Sequence, residues 1–308
     1  MERQQIIDRI KALKKEKNAV ILAHYYSAPE IQDIADFLGD SLGLSQLAAT
    51  TSADIIVFGG VHFMAETAAI ISPDKKVFSP APDAGCSLAD SVTAAALARW
   101  KQQHPDGIIV SYVNTTAAVK AVTDYCCTSA NALKVVLSLP EGKPVLFGPD
   151  RNLGSYIIKS TGRQMELWKG ACVVHEEITS DIVSAALDAY PDTEILIHPE
   201  AKCSGNISLI DNERVFFYST AGMLAHVASS EKKKFVIATE VDTIHSLKKQ
   251  NPEKTFIPLL PSAYCREMKK VTLENILDSL EHGTGEVIID KETREKAIIP
   301  IQRMLQIQ

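Results

Sequence analysis

Three cysteines lie far apart in the chain at nearly even spacing. Cys86, Cys172 and Cys265 are separated by intervals of 86 and 93 residues, and each closes a stretch of sequence that resembles the other two. Neither interval has the short spacing of a structural zinc site. Three soft thiolates from separate segments suit an iron–sulfur cluster instead. With only three ligands, one iron stays open to act as a Lewis acid.

Polar side chains in i, i+2 pairs follow one strand-like run in each stretch. The pairs are His24 with Tyr26, Tyr112 with Asn114, and His198 with Glu200. Members of such a pair leave a strand on the same face, and ligands of parallel α/β units bind beyond the carboxyl ends of the strands. We therefore expect the three pairs to face one common site.

A hydroxyl residue opens a predicted helix in each stretch. These residues are Ser41, Ser129 and Thr220. N-capping explains a single Ser or Thr at such a position, but free N–H groups beside a hydroxyl also make a helix N-terminus an anion site. Three such sites converging would bind a small substrate that carries several negative groups, whereas a neutral or cationic substrate would not fit.

Short apolar runs rich in Val and Ile must position these residues. They alternate with helical stretches, which is the β-α-β pattern of parallel sheets covered by helices. A chain of 308 residues ordinarily has about two domains, but the recurring order of polar pair, hydroxyl and cysteine predicts three α/β repeats. We place them at residues 1–87, 88–174 and 175–269, with residues 270–308 packing back on the first.

The composition excludes several other classes of protein. With a net charge of −6, the chain lacks the basic surface of a nucleic-acid binder. Its charged N-terminus has no signal-peptide core, and no run approaches the ~18 apolar residues of a membrane span. We therefore expect a cytoplasmic protein, in which six cysteines indicate metal binding or catalysis rather than disulfides.

The remaining cysteines and one histidine have no assigned chemistry. Cys126, Cys127 and Cys203 are expected to be small buried apolar residues. His175, three residues after Cys172, has two open interpretations: a plain structural role, or a contact that tunes the metal through its ligands.

Several short motifs together resemble the quinolinate synthase family between about residues 20 and 280. They are Ala-His-Tyr-Tyr (23–26), Gly-Asp-Ser-Leu (39–42), Tyr-Val-Asn-Thr (112–115), Cys-Thr-Ser-Ala-Asn (127–131), His-Pro-Glu (198–200), Ser-Thr-Ala-Gly-Met (219–223) and Ala-Thr-Glu (238–240). The three spaced cysteines complete the set. Ala201 stands where many relatives have Cys, and the long segment before residue 220 leaves Ser219 and Thr220 as alternatives for the third hydroxyl.

This resemblance implies a triangular protein of three three-layer α/β/α domains with short parallel sheets, related by a pseudo-threefold axis around a central active site. It implies one [4Fe–4S] cluster per chain, bound by Cys86, Cys172 and Cys265. It further implies that iminoaspartate and dihydroxyacetone phosphate condense to quinolinate, phosphate and water in NAD biosynthesis. An enzyme that produces iminoaspartate would be a transient partner.

The same resemblance implies which residues meet the substrates. The binding residues are His24, Ser41, Tyr112, Asn114, Ser129, His198, Glu200 and Thr220. We expect Glu200 to be the general base for enolisation, and His198 and His24 to pair with substrate anions or to shuttle protons. Tyr26 and Tyr112 would be phenolic acids. Two alternatives stay open: another iron–sulfur hydro-lyase acting on a small dicarboxylate, and an iron–sulfur anion sensor without turnover.

Overall fold

The chain folds as three separate four-stranded sheets flanked by helices, as the computed structural model describes it over residues 2–307. Every strand pairs in parallel with its neighbours. In each sheet the strand that comes second in sequence lies at an edge, followed by the first, third and fourth. The direction of winding therefore changes between the first and third strands, which is where α/β sheets bind ligands. The predicted fold class is confirmed.

The first unit is built on two central strands that are almost entirely buried. Its strands are β1 (Ala19–His24), β2 (Phe37–Gly39), β3 (Ile55–Gly59) and β4 (Lys76–Phe78). Its helices are α1 (Arg3–Glu16), α2 (Pro29–Ile34), α3 (Ser41–Thr50) and α4 (His62–Ile71). The β-branched and apolar runs of β1 and β3 are covered on both faces, as parallel strands between helical layers require.

The second unit repeats this plan with one departure from the sequence prediction. Its strands are β5 (Ile108–Tyr112), β6 (Tyr125–Cys127), β7 (Val145–Gly148) and β8 (Glu166–Leu167). Its helices are α5 (Ser87–Asp90), α6 (Ala94–Gln103), α7 (Ala117–Lys120), α8 (Ala132–Leu137) and α9 (Arg151–Thr161). The amide oxygen of Asn131 accepts the N–H of Thr128 at 2.8 Å, so α8 begins later than predicted and Ser129 lies in a turn before it.

The third unit completes the set. Its strands are β9 (Glu194–Ile197), β10 (Val215–Phe217), β11 (Lys234–Ala238) and β12 (Thr255–Pro258). Its helices are α10 (Ser180–Ala189), α11 (Ile207–Ile210), α12 (Thr220–Ser229) and α13 (Thr243–Gln250), with 3-10 helices at His175–Glu177, Lys202–Gly205 and Met268–Lys270. Separate apolar clusters cover the two faces of its sheet.

The C-terminal helices α14 (Leu273–His282) and α15 (Lys291–Gln306) pack on different units. The apolar stripe of α14 lies in the core of the first unit, against α1 and β3. The prediction that the whole segment 270–308 packs there holds only in part for α15, which lies mainly against α7 and β6 of the second unit and also contacts α4 of the first. Ala297, Ile301 and Met304 form a stripe at i, i+4 and i+7 that enters the core of that unit.

The helices are short. The longest, α15, has 16 residues, and across residues 2–307 no helix combines the length and the apolar character needed to cross a membrane.

A buried amide fastens α15 to the second unit. Asn131 is 2% exposed, and its Nδ2 donates to the carbonyls of Met304 and Ile307, both at 2.9 Å. We predict that Asn131→Ala lowers the free energy of unfolding by about 1–3 kcal/mol, because these carbonyls lose their donor while Met304 stays buried. Urea unfolding of the full-length chain measures the loss.

Asn212→Ala is the matched control. The side chain of Asn212 is only half-buried and accepts a local N–H from Arg214, so we expect a change within about 0.5 kcal/mol. Equal losses in the two variants would contradict the role assigned to Asn131.

Candidate active site

The three units meet around a cavity of about 90 Å³. Every residue that the sequence singled out for this site lines it, and these are His24, Tyr26, Ser41, Cys86, Tyr112, Asn114, Ser129, Cys172, His198, Glu200, Thr220 and Cys265. A volume of this size holds several water molecules. The structure therefore brings the predicted residues together, and the contacts below indicate what each of them can do.

The same backbone hydrogen bond holds each of the three cysteine loops. The residue that opens the turn or helix after the third strand of each unit donates its N–H to the carbonyl two positions before the cysteine. The bonds run from His62 to Ala84 (2.9 Å), from Arg151 to Gly170 (2.8 Å) and from Val241 to Ala263 (2.8 Å). Each thiol is therefore placed at an equivalent position in its unit, which explains why the cysteine spacing is nearly even.

Two buried carboxylates add a second restraint that sequence reasoning missed. Asp150 Oδ2 accepts the N–H of Cys172 at 3.1 Å, and Glu240 Oε1 accepts the N–H of Cys265 at 3.3 Å. Both acids stand two residues after the third strand of their unit. Comparing positions relative to the strands would have revealed them, because the register is the same in the second and third units.

The first unit breaks this rule. Val61 stands at the matching position, so no acid of that unit can restrain its cysteine loop there. Glu267 of the third cysteine loop acts instead, since its Oε2 accepts the N–H of Gly85 at 2.9 Å. Glu267 also pairs with Lys270 at 2.8 Å, and both side chains are 37% exposed. The loop of Cys86 is thus held by a more accessible contact than the other two.

The donor set of the cavity fits a thiolate-bound metal centre. Cys86, Cys172 and Cys265 are partly exposed, whereas Cys126, Cys127 and Cys203 are buried, and none of the latter three lines the cavity. Burial raises the pKa of the Cys86 thiol to about 12 and also raises the pKa of Cys172 and Cys265. The thiols are therefore protonated without a metal, and binding one would release protons.

A mixed donor set overlaps with the three thiols. Ligand atoms of Cys172, His175 and Glu200 lie within 4.8 Å of one another, close enough to hold a single ion. This set uses only Cys172 among the three cavity thiols. A single ion bound there would not need Cys86 or Cys265, whereas a three-thiolate cluster would need both.

Glu200 is buried and ionised. Tyr112 donates its hydroxyl to Oε1, and Oε2 lies 3.1 Å from Nδ1 of His175. Burial alone would raise the pKa of Glu200, but His198, His175 and the Tyr112 hydroxyl lower it to about 2. At neutral pH the group is a carboxylate, which is the state that a general base requires.

Two histidines are buried as neutral donors. The N–H of Tyr26 donates to Nδ1 of His24 at 3.1 Å, and the N–H of Glu200 donates to Nδ1 of His198 at 3.4 Å. The i, i+2 spacing seen in the sequence thus closes the same small turn in both units. Burial lowers the pKa of each ring to about 3, so both rings are neutral at neutral pH. Because Nδ1 accepts a backbone N–H in each ring, Nε2 carries the single ring proton. Nε2 of His198 lies 3.2 Å from Oγ of Ser129.

The hydroxyls of α3 and α12 are at the first helical position rather than at the cap. Asp40 caps α3 before Ser41, and Ser219 caps α12 before Thr220. The Ser219 hydroxyl donates to Asp40 Oδ2 at 3.0 Å and accepts an N–H of its own helix, so it is fully engaged. Thr220 lines the cavity and donates to the hydroxyl of Tyr26 at 3.1 Å. Of the two alternatives, Thr220 therefore faces the site.

Asn114 has an unpartnered oxygen. Across residues 2–307 its buried Oδ1 meets no hydrogen-bond partner, which is rare for a buried polar atom and indicates a missing ligand group. Lys120 holds its loop, because the buried ammonium donates to the carbonyls of Val113 (2.9 Å) and Thr115. Burial lowers the pKa of Lys120 to about 8.

His175 is more central than its sequence position indicated. Nδ1 lies 3.2 Å from Sγ of Cys172, and its ring stacks on that of His198 with 4.7 Å between centroids. Nε2 lies 2.9 Å from Oγ1 of Thr239, whose hydroxyl also lies 2.7 Å from that of Tyr26. Thr239 belongs to the Ala-Thr-Glu motif of residues 238–240, but only the folded structure brings it to these partners.

Known proteins match nearly the whole chain. The family described as quinolinate synthetase A protein matches residues 8–306. The chain is similar to a quinolinate synthase of Pyrobaculum aerophilum, with 49% identity over 303 residues that cover 97% of this chain and 98% of the relative. A quinolinate synthase of Thermus thermophilus is 47% identical over 306 residues, covering 99% and 98%. One of Microcystis aeruginosa is 48% identical over 302 residues, covering 96% and 93%.

The buried histidines predict a loss of stability in mild acid. His24 and His198 have a pKa of about 3 in the folded chain against 6.5 when unfolded, so between these values the unfolded chain binds more protons. The free energy of unfolding therefore falls as the pH falls below 6.5, by up to about 1.4 kcal/mol per pH unit for each ring. His198→Gln should reduce the loss between pH 6.5 and 5 by about 1.6 kcal/mol in urea unfolding of the iron-free full-length chain.

His282→Gln serves as the control, because that side chain is 67% exposed and keeps its contact with water in both states. We expect it to leave the pH dependence unchanged. The same slope in wild type and His198→Gln would show that the ring is not buried in its neutral form.

Proposed function

The chain belongs to the quinolinate synthetase A family, and we propose that it condenses iminoaspartate with dihydroxyacetone phosphate to form quinolinate, phosphate and water in NAD biosynthesis. The prediction that it is an enzyme of this family is confirmed by the named relatives. The substrates and the cofactor are the parts that we propose. One observation carries them: three thiols from three separate loops share a cavity with a buried carboxylate and neutral donors.

We propose that Cys86, Cys172 and Cys265 hold one [4Fe–4S] cluster per chain. The identical restraint of the three loops supports this, because it presents one soft ligand from each unit to the same cavity. When bound, the cluster supplies an iron without a protein ligand, which polarises a substrate oxygen or nitrogen as a Lewis acid.

The other residues of the cavity suit a substrate with several anionic groups. Ser41 and Thr220 present hydroxyls at the N-termini of two ten-residue helices, where the helix dipole favours negative charge. His24 and His198 add Nε2–H donors without adding net charge. The unpartnered oxygen of Asn114 can accept from an imine or a hydroxyl. Carboxylates and phosphate therefore bind, and neutral donors fix their orientation.

Acid and base functions are divided between separate residues. Glu200 is ionised and removes a proton for enolisation, while Tyr112 and His175 hold its two oxygens in place. Tyr26 keeps its proton, because burial and then the charge of Glu200 raise its pKa well above 10. A base and a weak acid joined through one hydrogen-bonded network suit proton removal at one atom and donation to a leaving group at another.

We further propose that the protein works in the cytoplasm. All six cysteines are free thiols, which is the usual state in a reducing compartment. Iminoaspartate would reach the site from an enzyme that produces it, through a transient contact.

We predict that quinolinate formation and iron binding depend on the same three cysteines. Anaerobically prepared wild type should contain about four irons per chain and form quinolinate from the two substrates. Cys86→Ala, Cys172→Ala and Cys265→Ala should each lose most of the iron and the activity, because each unit supplies one ligand. Iron analysis, the visible spectrum and a quinolinate assay measure these effects.

Cys203→Ala is the control for the loss of a buried thiol, and it should keep its iron and its activity. A single ion held by Cys172, His175 and Glu200 would instead leave iron in Cys86→Ala and Cys265→Ala. Turnover of another dicarboxylate without dihydroxyacetone phosphate would contradict the proposed reaction.

We predict that Glu200→Gln separates catalysis from cofactor binding. The amide keeps the size of the side chain but cannot accept a proton, so quinolinate formation should fall at least ~100-fold while the iron content stays at the wild-type level. Glu177→Gln changes an exposed acid nearby and should change neither quantity. Normal turnover in Glu200→Gln would remove this residue as the base.

A further inference from the structure

Thr239 is a buried hydroxyl to which the proposed reaction assigns no part. It is 2% exposed and stands directly after β11. Its Oγ1 lies 2.7 Å from the hydroxyl of Tyr26 and 2.9 Å from Nε2 of His175. Tyr26 belongs to the first unit, and His175 follows the cysteine of the second. One hydroxyl of the third unit thus joins a side chain of the first unit to the segment that follows the second cysteine loop.

The hydrogen bonds of this group can run in only one direction when the ring of His175 is neutral. A carboxylate only accepts, so Nδ1 of His175 must carry the proton that faces Glu200 at 3.1 Å. Nε2 is then an acceptor, and the hydroxyl of Thr239 must donate to it. Since a hydroxyl has a single proton, the contact with Tyr26 is one in which the phenol donates to Thr239.

The far end of the network agrees with this direction. Thr220 donates to the phenol oxygen of Tyr26 at 3.1 Å, which leaves the phenol proton for Thr239. The bonds therefore run from Thr220 through Tyr26, Thr239 and His175 to Glu200. In this network Thr239 is the residue that donates a hydrogen bond to Nε2 of His175 and accepts one from the hydroxyl of Tyr26.

We propose that Thr239 is a positioning residue that holds Tyr26 and His175 in the orientations their chemistry needs, an inference that rests on the proposed function. Thr239 is not itself among the residues that line the cavity, whereas Tyr26 and His175 are, so it acts through these two side chains. Its hydroxyl holds the Nδ1–H of His175 towards Glu200 and Cys172, and it holds the phenol of Tyr26 at the edge of the site.

The proposal predicts a selective loss of turnover. Thr239→Val keeps the shape of the side chain and removes the hydroxyl, so the rate constant kcat for quinolinate formation should fall about 10- to 100-fold. KM for both substrates should stay within about threefold, and the iron content should not change, since no ligand of substrate or metal is lost. Thr239→Ser restores the hydroxyl and should recover kcat to within about threefold.

Thr243→Val is the matched control. Thr243 is buried in the same unit, and in the described residues its Oγ1 has no hydrogen-bond partner. This variant removes the same group at a similar depth without touching the network, so it should match wild type. A loss of turnover in Thr243→Val equal to that in Thr239→Val would show that any buried hydroxyl of this unit has the effect, and the proposal would fail.

A second measurement does not need the reaction. Nitrogen NMR of the imidazole rings at pH 8, on the full-length chain prepared without iron, reports which nitrogen carries the proton, and His175→Gln assigns the signal. We expect a protonated Nδ1 and a hydrogen-bonded, unprotonated Nε2 in wild type. In Thr239→Val the Nε2 signal should shift to that of a nitrogen without a donor. A protonated Nε2 in wild type, or no shift in the variant, overturns the assignment.

The two measurements separate the inference from the function on which it rests. Wild type that forms no quinolinate contradicts the proposed function, and the NMR result still decides the role of Thr239. Active wild type with an equally active Thr239→Val contradicts the inference alone. If Thr239→Val loses its iron, its activity no longer tests the inference. Recovery of kcat in Thr239→Ser and an unprotonated Nε2 in wild type then support the role of Thr239, and the absence of either contradicts it.

Discussion

The buried charge of Glu200 is the constraint on which the site depends. A carboxylate withdrawn from water costs several kcal/mol unless other donors replace its hydration. Here the donors are the hydroxyl of Tyr112, at the end of β5, and the ring of His175, behind Cys172. Tyr112 cannot reach Glu200 unless the second and third units are closed against each other. Closing them also brings Cys172 to the cavity, so the ionised base and the thiol result from one arrangement.

The three units share a backbone plan but carry different side chains on it. Strand order and the hydrogen bond that holds each cysteine loop are the same in all three. At the ends of the first strands stand His24, Tyr112 and His198, which differ in acidity and in hydrogen bonding. The repeated backbone therefore determines where each side chain stands. Because the units carry different residues at equivalent positions, one cavity contains a base, neutral donors and soft ligands.

Much of the site could be predicted because its residues follow strand ends, and the ends of parallel strands meet at one edge. The errors have tertiary causes. The start of α8 depends on Asn131, whose amide also binds α15, so local sequence placed Ser129 in a helix that begins later. The position of α15 depends on an apolar stripe in a charged segment, and such a stripe does not identify the unit that it will cover. Thr239 contacts Tyr26 and His175, and Asp150 contacts Cys172, all of which are more than 20 residues away in sequence.

The hold of Glu267 on the loop of Cys86 limits how the chain could be rearranged. The second and third units each carry the acid that restrains their own cysteine loop, whereas Val61 leaves the first unit reliant on the third. A chain in which the copies were exchanged would part Gly85 from its anchor, although every sheet could still form. The three repeats are therefore components with a required order.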